Sequence, residues 1–174
     1  MKVLLTVGTH EQPFQRLLEA AQQTLLARPD DEWVVQYGVG SWSLPLPSIR
    51  AAADYFDAPS MQAHLAWADV VVSQCSPGTV FGALAAGTWP LVLGRQIAFD
   101  EHVDDHQVLF ARELDRAGLA LDLQTAGRLA TALAEEDQLD CTDRQRRCRQ
   151  AADRSAENAA RFRTDVWRVL GNVA

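Results

Sequence analysis

The sequence lacks a long apolar segment, and this bears on where the protein resides. No uninterrupted hydrophobic run approaches the roughly 20 residues that a membrane-spanning helix needs. The first residues also show none of the regions that make up a signal peptide. We therefore expect a cytoplasmic protein, which reaches the inner membrane only through a partner.

Basic residues and cysteines are also scarce, and each shortage argues against a class of protein. Lys and Arg total 16 against 23 Asp and Glu, so the formal net charge is −7. The phosphate backbone of a nucleic acid is also negative and repels a chain this acidic, so we expect no nucleic-acid partner. Cys75, Cys141 and Cys148 include no Cys-x-x-Cys pair, which argues against a disulfide framework and against a zinc site built on thiols.

Short apolar runs alternate with segments of helical periodicity along most of the chain. Continuous apolar runs are typical of strands that are buried on both faces of a parallel sheet. The predicted strands lie at 2–7, 33–37, 53–56, 69–73, 90–93 and 119–121. The predicted helices lie at 13–25, 61–68, 77–87, 103–117 and 125–136. This alternation predicts an α/β fold with a doubly wound, Rossmann-like parallel sheet, in a single domain over 1–174.

A long helix is predicted over residues 142–170, with a capping box formed by Thr142 and Gln145. One face carries small and apolar residues: Cys148, Ala152, Ser155, Ala159, Phe162, Val166 and Leu170. The opposite face carries arginines: Arg144, Arg147, Arg154, Arg161 and Arg168. We interpret this helix, with Trp167 near its end, as a docking element for a partner, and simple solvation of the arginines is the alternative. A chain cut after Gln138 is therefore expected to stay folded.

Two loops containing glycine follow predicted strands and precede predicted helices. They are residues 8–10, Gly-Thr-His, and residues 76–79, Ser-Pro-Gly-Thr. Helix N-termini present unpaired backbone N–H groups, so a diphosphate can bind there. The first loop is not Gly-x-Gly-x-x-Gly, and an ordinary tight turn is the alternative. The candidate nucleotide- and phosphate-binding residues are Gly8, Thr9, His10, Ser76, Gly78 and Thr79.

Residues 100–107, Asp-Glu-His-Val-Asp-Asp-His-Gln, hold four carboxylates and two imidazoles. A polar rim that hydrogen-bonds a sugar is our interpretation, and a solvated charged loop is the alternative. His102 and His106 are four residues apart and would share a helix face, which is compatible with a metal site. The sequence is not His-Glu-x-x-His, however, and we predict no metal. We also predict no cysteine nucleophile, because Cys75 has no base at a recognisable spacing.

Four segments together resemble one known family. They are residues 6–14 (TVGTHEQPF), 68–73 (ADVVVS), 77–80 (PGTV) and 101–107 (EHVDDHQ). In order and spacing they are similar to the C-terminal domain of family 28 glycosyltransferases, which have the GT-B fold. The chain most resembles the short subunits that pair with a separate membrane-associated subunit, in bacterial exopolysaccharide assembly and in dolichol-linked chitobiose synthesis.

The resemblance implies that this domain binds a UDP-sugar, which is transferred with inversion to a lipid-linked saccharide acceptor. It implies a diphosphate at the two loops, a nucleobase near Phe56 and Met61, and sugar hydroxyls held by Glu101, Asp105 and Gln107. It implies no cofactor. The catalytic base is unknown in this chain, so we expect a membrane-associated, acceptor-binding partner subunit to supply it. The donor sugar stays open among N-acetylglucosamine, glucose and galactose.

The chain departs from the family's pattern at the second loop and in the helix after it. Relatives typically have Ser-His-Gly-Gly-Pro-Gly-Thr, whereas this chain has Gln74, Cys75 and Ser76 in place of His, Gly and Gly. Gly82 stands where the family carries a glutamate that binds the nucleotide ribose. These changes are compatible with neutral drift around a retained activity, with a changed donor, or with a scaffold that kept the fold without catalysis. By fold analogy alone, a nucleotide-sugar epimerase or hydrolase is a further alternative.

Overall fold

Six parallel strands form one sheet in the order β3-β2-β1-β4-β5-β6. The computed structural model describes residues 1–171, without the side chains at 165–167 and 169–171. The strands are β1 (Lys2–Thr6), β2 (Glu32–Gln36), β3 (Ile49–Ala53), β4 (Val70–Gln74), β5 (Trp89–Leu93) and β6 (Leu121–Asp122). This strand order is that of a doubly wound nucleotide-binding fold, so the predicted α/β architecture is confirmed.

Helices follow the strands in the order that the alternation predicts. They are α1 (Gln15–Ala27), α2 (Ala58–Trp67), α3 (Pro77–Ala86), α4 (His106–Arg116), α5 (Leu129–Asp137) and α6 (Cys141–Gly171). Short 3₁₀ turns lie at Ile97–Phe99 and Ala126–Arg128. No helix among residues 1–171 is long and apolar enough to cross a lipid bilayer.

Several sequence-based element bounds are wrong: α2, for example, begins at Ala58 and not at 61. The strand predicted at 53–56 lies at Ile49–Ala53, so it begins four residues earlier than predicted. Its alanine-rich sequence has a low strand propensity. The strand forms because it pairs with β2. The helix predicted from 103 begins at His106, because residues 101–105 form the turn that leads into it.

The sheet is buried on both faces. Val3 and Leu5 of β1 belong to a buried cluster that includes Leu17 of α1. Leu4, between them in sequence, points to the other face and belongs to a second cluster with Leu65 of α2. Side chains from helices on both faces therefore cover the apolar strands, as the continuous apolar runs predict.

The first half of α6 packs onto the rest of the chain. Cys148 and Ala151 are fully buried and belong to the main core cluster. Arg147 forms an ion pair with Glu136, and its guanidinium lies 3.9 Å from the centroid of the Trp89 ring. This half of the helix is thus a structural part of the core.

The arginine face predicted as a docking surface is largely engaged inside the chain. Arg144 donates to the carbonyl oxygens of Glu136 and Leu139, and Arg154 donates to the carbonyl of Gly118. With Arg147, these residues tie α6 to the domain, so the basic face is not a free surface over this stretch. Residues 156–164 are exposed, Phe162 by 71%. The predicted roles of Trp167, Val166 and Leu170 concern side chains that lie outside the described part of the structure.

Candidate functional site

The strand order reverses between β1 and β4, which are neighbours at the centre of the sheet. On one side of this pair, β2 and β3 follow β1, and on the other side β5 and β6 follow β4. A reversal of this kind opens a crevice beyond the carboxyl ends of the two strands, and ligands of such folds bind there. Both loops predicted to bind phosphate begin at this edge.

The loop after β1 makes a sharp turn at Gly8. Its φ is +73°, a left-handed conformation that favours glycine. A Cβ on Gly8 would lie 1.8 Å from Nε2 of Gln74, so the two loops touch at this position. Thr9 is exposed, and His10 Nδ1 accepts a hydrogen bond from the backbone N–H of Gln12 at 3.1 Å. The structure thus brings the first loop against the end of β4.

The loop after β4 leads into the N-terminus of α3. Ser76 is the N-cap residue and Pro77 is the first helical residue, as predicted. The Ser76 hydroxyl donates to Thr79 Oγ1 at 3.0 Å. The first-turn N–H groups of Gly78 and Thr79 have no partner within the helix by geometry, and the space beside the Gly78 Cα is open. Ser76, Gly78 and Thr79 therefore form one accessible helix N-terminus at the crevice.

Arg95, two residues after the end of β5, connects the loops around the crevice. Its buried guanidinium donates to Gln74 Oε1 at 2.8 Å and to the carbonyls of Val7 at 2.9 Å, Gln12 at 2.8 Å and Glu101 at 3.1 Å. Burial lowers the pKa of Arg95 to about 10, against the opposing effect of Glu101. The group stays cationic at neutral pH, and its role is to hold three loops together.

Sequence reasoning missed Arg95. The available signal was its position: a charged residue lies two residues after the buried strand β5, at the edge where ligands bind. The same reasoning missed Arg16 on α1, whose partner lies 85 residues away in the chain.

Glu101 is buried and engaged by other residues of the chain. Arg16 donates to both of its carboxylate oxygens, at 3.0 and 2.7 Å, and the backbone N–H of Gln96 donates to one of them at 3.1 Å. The bidentate pair anchors the segment 96–101 to α1. Glu101 thus supports the predicted sugar-binding loop from the inside.

Asp105 and Gln107 lie at the start of α4. Asp105 is the exposed N-cap residue, and its carboxylate accepts from the N–H of Ile97 at 2.9 Å. Gln107 is buried, and its Oε1 accepts from the Arg95 backbone N–H at 3.3 Å. Gly94 makes this close approach possible, because a Cβ there would lie 2.7 Å from the backbone nitrogen of Val108.

Three histidines and one aspartate meet between the first loop and α4. The ring centroids of His10 and His102 are 4.6 Å apart, as are those of His102 and His106. Asp104 Oδ1 contacts His106 Nδ1 and lies 3.7 Å from His102 Nδ1. Desolvation and the neighbouring imidazoles lower the pKa of His102, while hydrogen bonds from His106 lower that of Asp104. We call these four residues the imidazole cluster.

Cys75 lies beside the crevice but is buried, and desolvation raises the pKa of its thiol to about 12. A thiol with that pKa carries almost no thiolate at neutral pH, so Cys75 is unsuited to nucleophilic catalysis. This agrees with the sequence-based expectation.

The region predicted for the nucleobase lies after β3. The Phe56 backbone N–H donates to Gln36 Oε1 at 3.1 Å, and the Phe56 ring packs edge-on against His64. Gly82 on α3 faces α2: a Cβ there would lie 3.8 Å from Leu65 Cδ1, an ordinary contact. A Cβ at position 82 therefore has room.

A cavity of about 630 Å³ lies beyond the carboxyl ends of β5 and β6. Its lining includes Arg16, Phe99 and Arg112. Ile97 and Phe99 are exposed beside the acidic run. This cavity therefore lies on the β6 side of the sheet.

Comparison with solved structures supports the fold assignment. The glycosyltransferase of kitacinnamycin is 21% identical with a TM-score of 0.65, over 88% of this chain and 38% of that one. The calicheamicin glycosyltransferase CalG4 is 18% identical with a TM-score of 0.64, over 99% and 44%. SsfS6 from Streptomyces sp. SF2575, solved with thymidine diphosphate, is 22% identical with a TM-score of 0.58, over 90% and 37%.

The chain therefore spans less than half the length of these three structures. No curated protein matches the sequence. The pattern of the glycosyltransferase family 28 C-terminal domain matches residues 2–162, which include both crevice loops and the acidic run. On this match the chain belongs to the family of glycosyltransferase family 28 C-terminal domains.

Proposed function

We propose that this chain binds the donor in a UDP-sugar glycosyltransferase that is completed by a second subunit and acts on a lipid-linked acceptor in polysaccharide synthesis. The observation that carries the proposal is the accessible N-terminus of α3 at the strand-order reversal, with Gly8 of the first loop against Gln74 at the end of β4. Two neighbouring sets of backbone donors match the two phosphates of a nucleotide sugar.

The chemistry of transfer requires a good leaving group. The acceptor hydroxyl attacks the anomeric carbon, the bond from that carbon to the diphosphate oxygen breaks, and its electron pair stays on the UDP. Donors fixed in advance around that oxygen lower the barrier because they need no reorganisation during reaction. Gly78 and Thr79 supply such donors, and Gly8, Thr9, His10 and Ser76 complete the proposed phosphate site.

Sugar recognition is proposed for the start of α4. Asp105 is exposed, while Gln107 is fixed by Arg95 in the wall of the crevice. Glu101 contributes through its hold on the loop, since both of its carboxylate oxygens are bonded to Arg16. The donor sugar is proposed to be N-acetylglucosamine, glucose or galactose.

The need for a partner follows from what the chain offers for the acceptor. Inverting transfer needs a base for the acceptor hydroxyl. We assign this role to none of the described residues. We therefore propose a membrane-associated subunit that binds the lipid-linked saccharide and supplies the base.

A radiolabelled transfer assay tests the proposal. The chain is combined with the product of a neighbouring gene for a membrane-associated subunit, and sugar transfer from labelled UDP-sugars to lipid-linked acceptor is measured. Transfer is expected only from the combination. Robust transfer by the chain alone would contradict the partner requirement. If calorimetry detects no binding of UDP to the chain, the proposed donor site is wrong.

The scaffold alternative has one specific observation in its favour. Gly82 removes the carboxylate that the family directs at the nucleotide ribose. A scaffold would assemble with the partner but would not bind UDP or UDP-sugars. Micromolar binding in calorimetry therefore supports the donor-binding function and argues against the scaffold.

A further inference from the structure

The cavity beyond the ends of β5 and β6 is a second candidate site. Its volume of about 630 Å³ falls in the range of about 300–1,000 Å³ that is typical of small-molecule sites. The described lining includes Arg16 of α1, two residues of α4 and the turn after β6, but neither Gly8 nor the N-terminus of α3. The cavity is therefore large enough for a ligand and is separate from the two crevice loops.

Asp122 places a buried carboxylate in the lining of this cavity. The residue ends β6 and is only 4% exposed. Its Oδ1 accepts a hydrogen bond from the backbone N–H of Gln124 at 2.9 Å, and no described residue donates to its Oδ2. Burial raises the pKa of Asp122, against the opposing effect of the Gln124 N–H. A buried acceptor whose second oxygen has no donor in the chain is suited to a donor from a ligand.

Arg112 supplies a cation to the same cavity. It lies one turn after Val108 on α4, and both residues line the cavity. Arg112 forms no hydrogen bond or ion pair with another described residue. Arg16, the other arginine of the lining, is bonded to both carboxylate oxygens of Glu101. Because a guanidinium binds phosphate oxygens through paired N–H groups, Arg112 is suited to hold a phosphate.

The remaining wall combines an amide with an aromatic ring. Gln124 has a φ of +60°, which is uncommon for a residue other than glycine, and its amide offers donors and an acceptor. Phe99 is 55% exposed, and the Arg16 guanidinium lies 4.7 Å from the centroid of its ring. The C–H groups of a sugar ring can bury the exposed area of Phe99, while sugar hydroxyls can hydrogen-bond to the polar groups.

We propose that this cavity binds a monosaccharide phosphate, with its phosphate at Arg112 and its hydroxyls at Asp122 and Gln124. Both halves of the ligand are needed to match the lining. A neutral sugar would leave the Arg112 guanidinium without an anion, and inorganic phosphate would leave Asp122 Oδ2 without a donor. The sugar also keeps the phosphate away from the Asp122 carboxylate, which would repel it. This inference does not depend on the proposed donor-binding function.

Calorimetry of the unmodified chain with the 1-phosphates of glucose, galactose and N-acetylglucosamine tests the site. At least one of them is expected to bind with a Kd below about 1 mM. Glucose alone and inorganic phosphate alone should each bind at least about tenfold more weakly. Arg112→Gln and Asp122→Asn should each weaken binding of the sugar phosphate at least about tenfold, and the asparagine keeps an oxygen for the Gln124 N–H. Circular dichroism checks that each variant is folded.

Arg116→Gln is the matched control, because Arg116 lies one turn further along α4 and pairs with Glu113 outside the cavity lining. It should bind the sugar phosphate as the unmodified chain does. Absence of binding by all three sugar phosphates, or unchanged affinity in folded Arg112→Gln, would overturn the proposal. Inorganic phosphate that binds as tightly as the sugar phosphates would also overturn it.

Competition with UDP separates this cavity from the crevice. Saturating UDP should leave the affinity for the sugar phosphate unchanged, and displacement by UDP would overturn the assignment to a separate cavity. Sugar-phosphate binding that needs Arg112, in a chain that does not bind UDP, would contradict the proposed donor function and leave this site standing.

Discussion

Arg95 Nε donates a hydrogen bond to Gln74 Oε1 at 2.8 Å, and this contact joins the end of β5 to the end of β4. Gln74 in turn covers Gly8, so the same side chain links both loops of the crevice. The family usually has histidine where this chain has Gln74. The glutamine thus has a structural role here: it accepts from a buried cation and fills the space above the first loop.

Arg95→Met should destabilise the chain by about 3 kcal/mol, because several buried acceptors lose a charged donor. Urea unfolding measures the change. The matched control is Arg116→Met, whose exposed pair with Glu113 should contribute within about 0.5 kcal/mol. Equal stability of the two variants would show that Arg95 does not hold the loops.

Gly8→Ala should destabilise the chain by about 1–2 kcal/mol, since φ of +73° is unfavourable for alanine. The methyl group would also collide with Gln74, so UDP affinity should fall. Gly127→Ala is the control, because nothing lies within 4 Å of a Cβ there. Thermal unfolding measures the change in stability, and calorimetry measures the change in UDP affinity. A Gly8→Ala variant with unchanged stability and affinity would contradict the assigned loop geometry.

Gly82→Glu should tighten UDP binding about fivefold, or about 1 kcal/mol, by restoring a carboxylate for the ribose. Gly82→Ala separates this effect from helix stability. Gly82→Ala should itself stabilise α3 by up to about 1 kcal/mol, because a Cβ has space there and glycine weakens a helix. If calorimetry gives the Gly82→Glu and Gly82→Ala variants the same affinity for UDP, the pocket is built for another donor.

Native alkylation should modify Cys141 and spare Cys75 and Cys148. Cys141 is exposed, whereas the other two are buried with raised pKa values, that of Cys75 to about 12. A raised thiol pKa lowers the thiolate fraction at neutral pH and slows reaction with iodoacetamide. Mass spectrometry before and after denaturation measures each site. Modification of Cys75 at the rate of Cys141 would contradict its burial.

Two truncations separate the core part of α6 from its exposed part. A cut after Gln138 removes Cys148 and Ala151 from the main core, so it should unfold or aggregate the chain, against the sequence-based expectation. A cut after Ser155 keeps these residues and should retain the fold and UDP binding. If the exposed part of α6 binds the partner, the cut after Ser155 should abolish co-purification with that partner. Retained co-purification would remove the docking role.

The order of strands and helices followed from the sequence alone. Runs such as residues 70–72 are apolar without alternation, and only a strand covered on both faces accommodates them. The crevice loops followed as well, because parallel strands bring their carboxyl ends to one edge. β3 was predicted four residues too late, because its alanines carry little local signal and its pairing with β2 is a long-range contact.

Only the tertiary structure decided which side chains serve the crevice and which support it. Arg16 reaches Glu101 across 85 residues of sequence, and Arg95 reaches Val7 across 88. Local periodicity carries no information about such contacts. The sequence determined the family, the element types and the position of the loops, since these depend on local composition and spacing. Tertiary contacts determined the engagement of Glu101, the anchoring of α6 and the convergence of His10 with His102, since these depend on packing between distant segments.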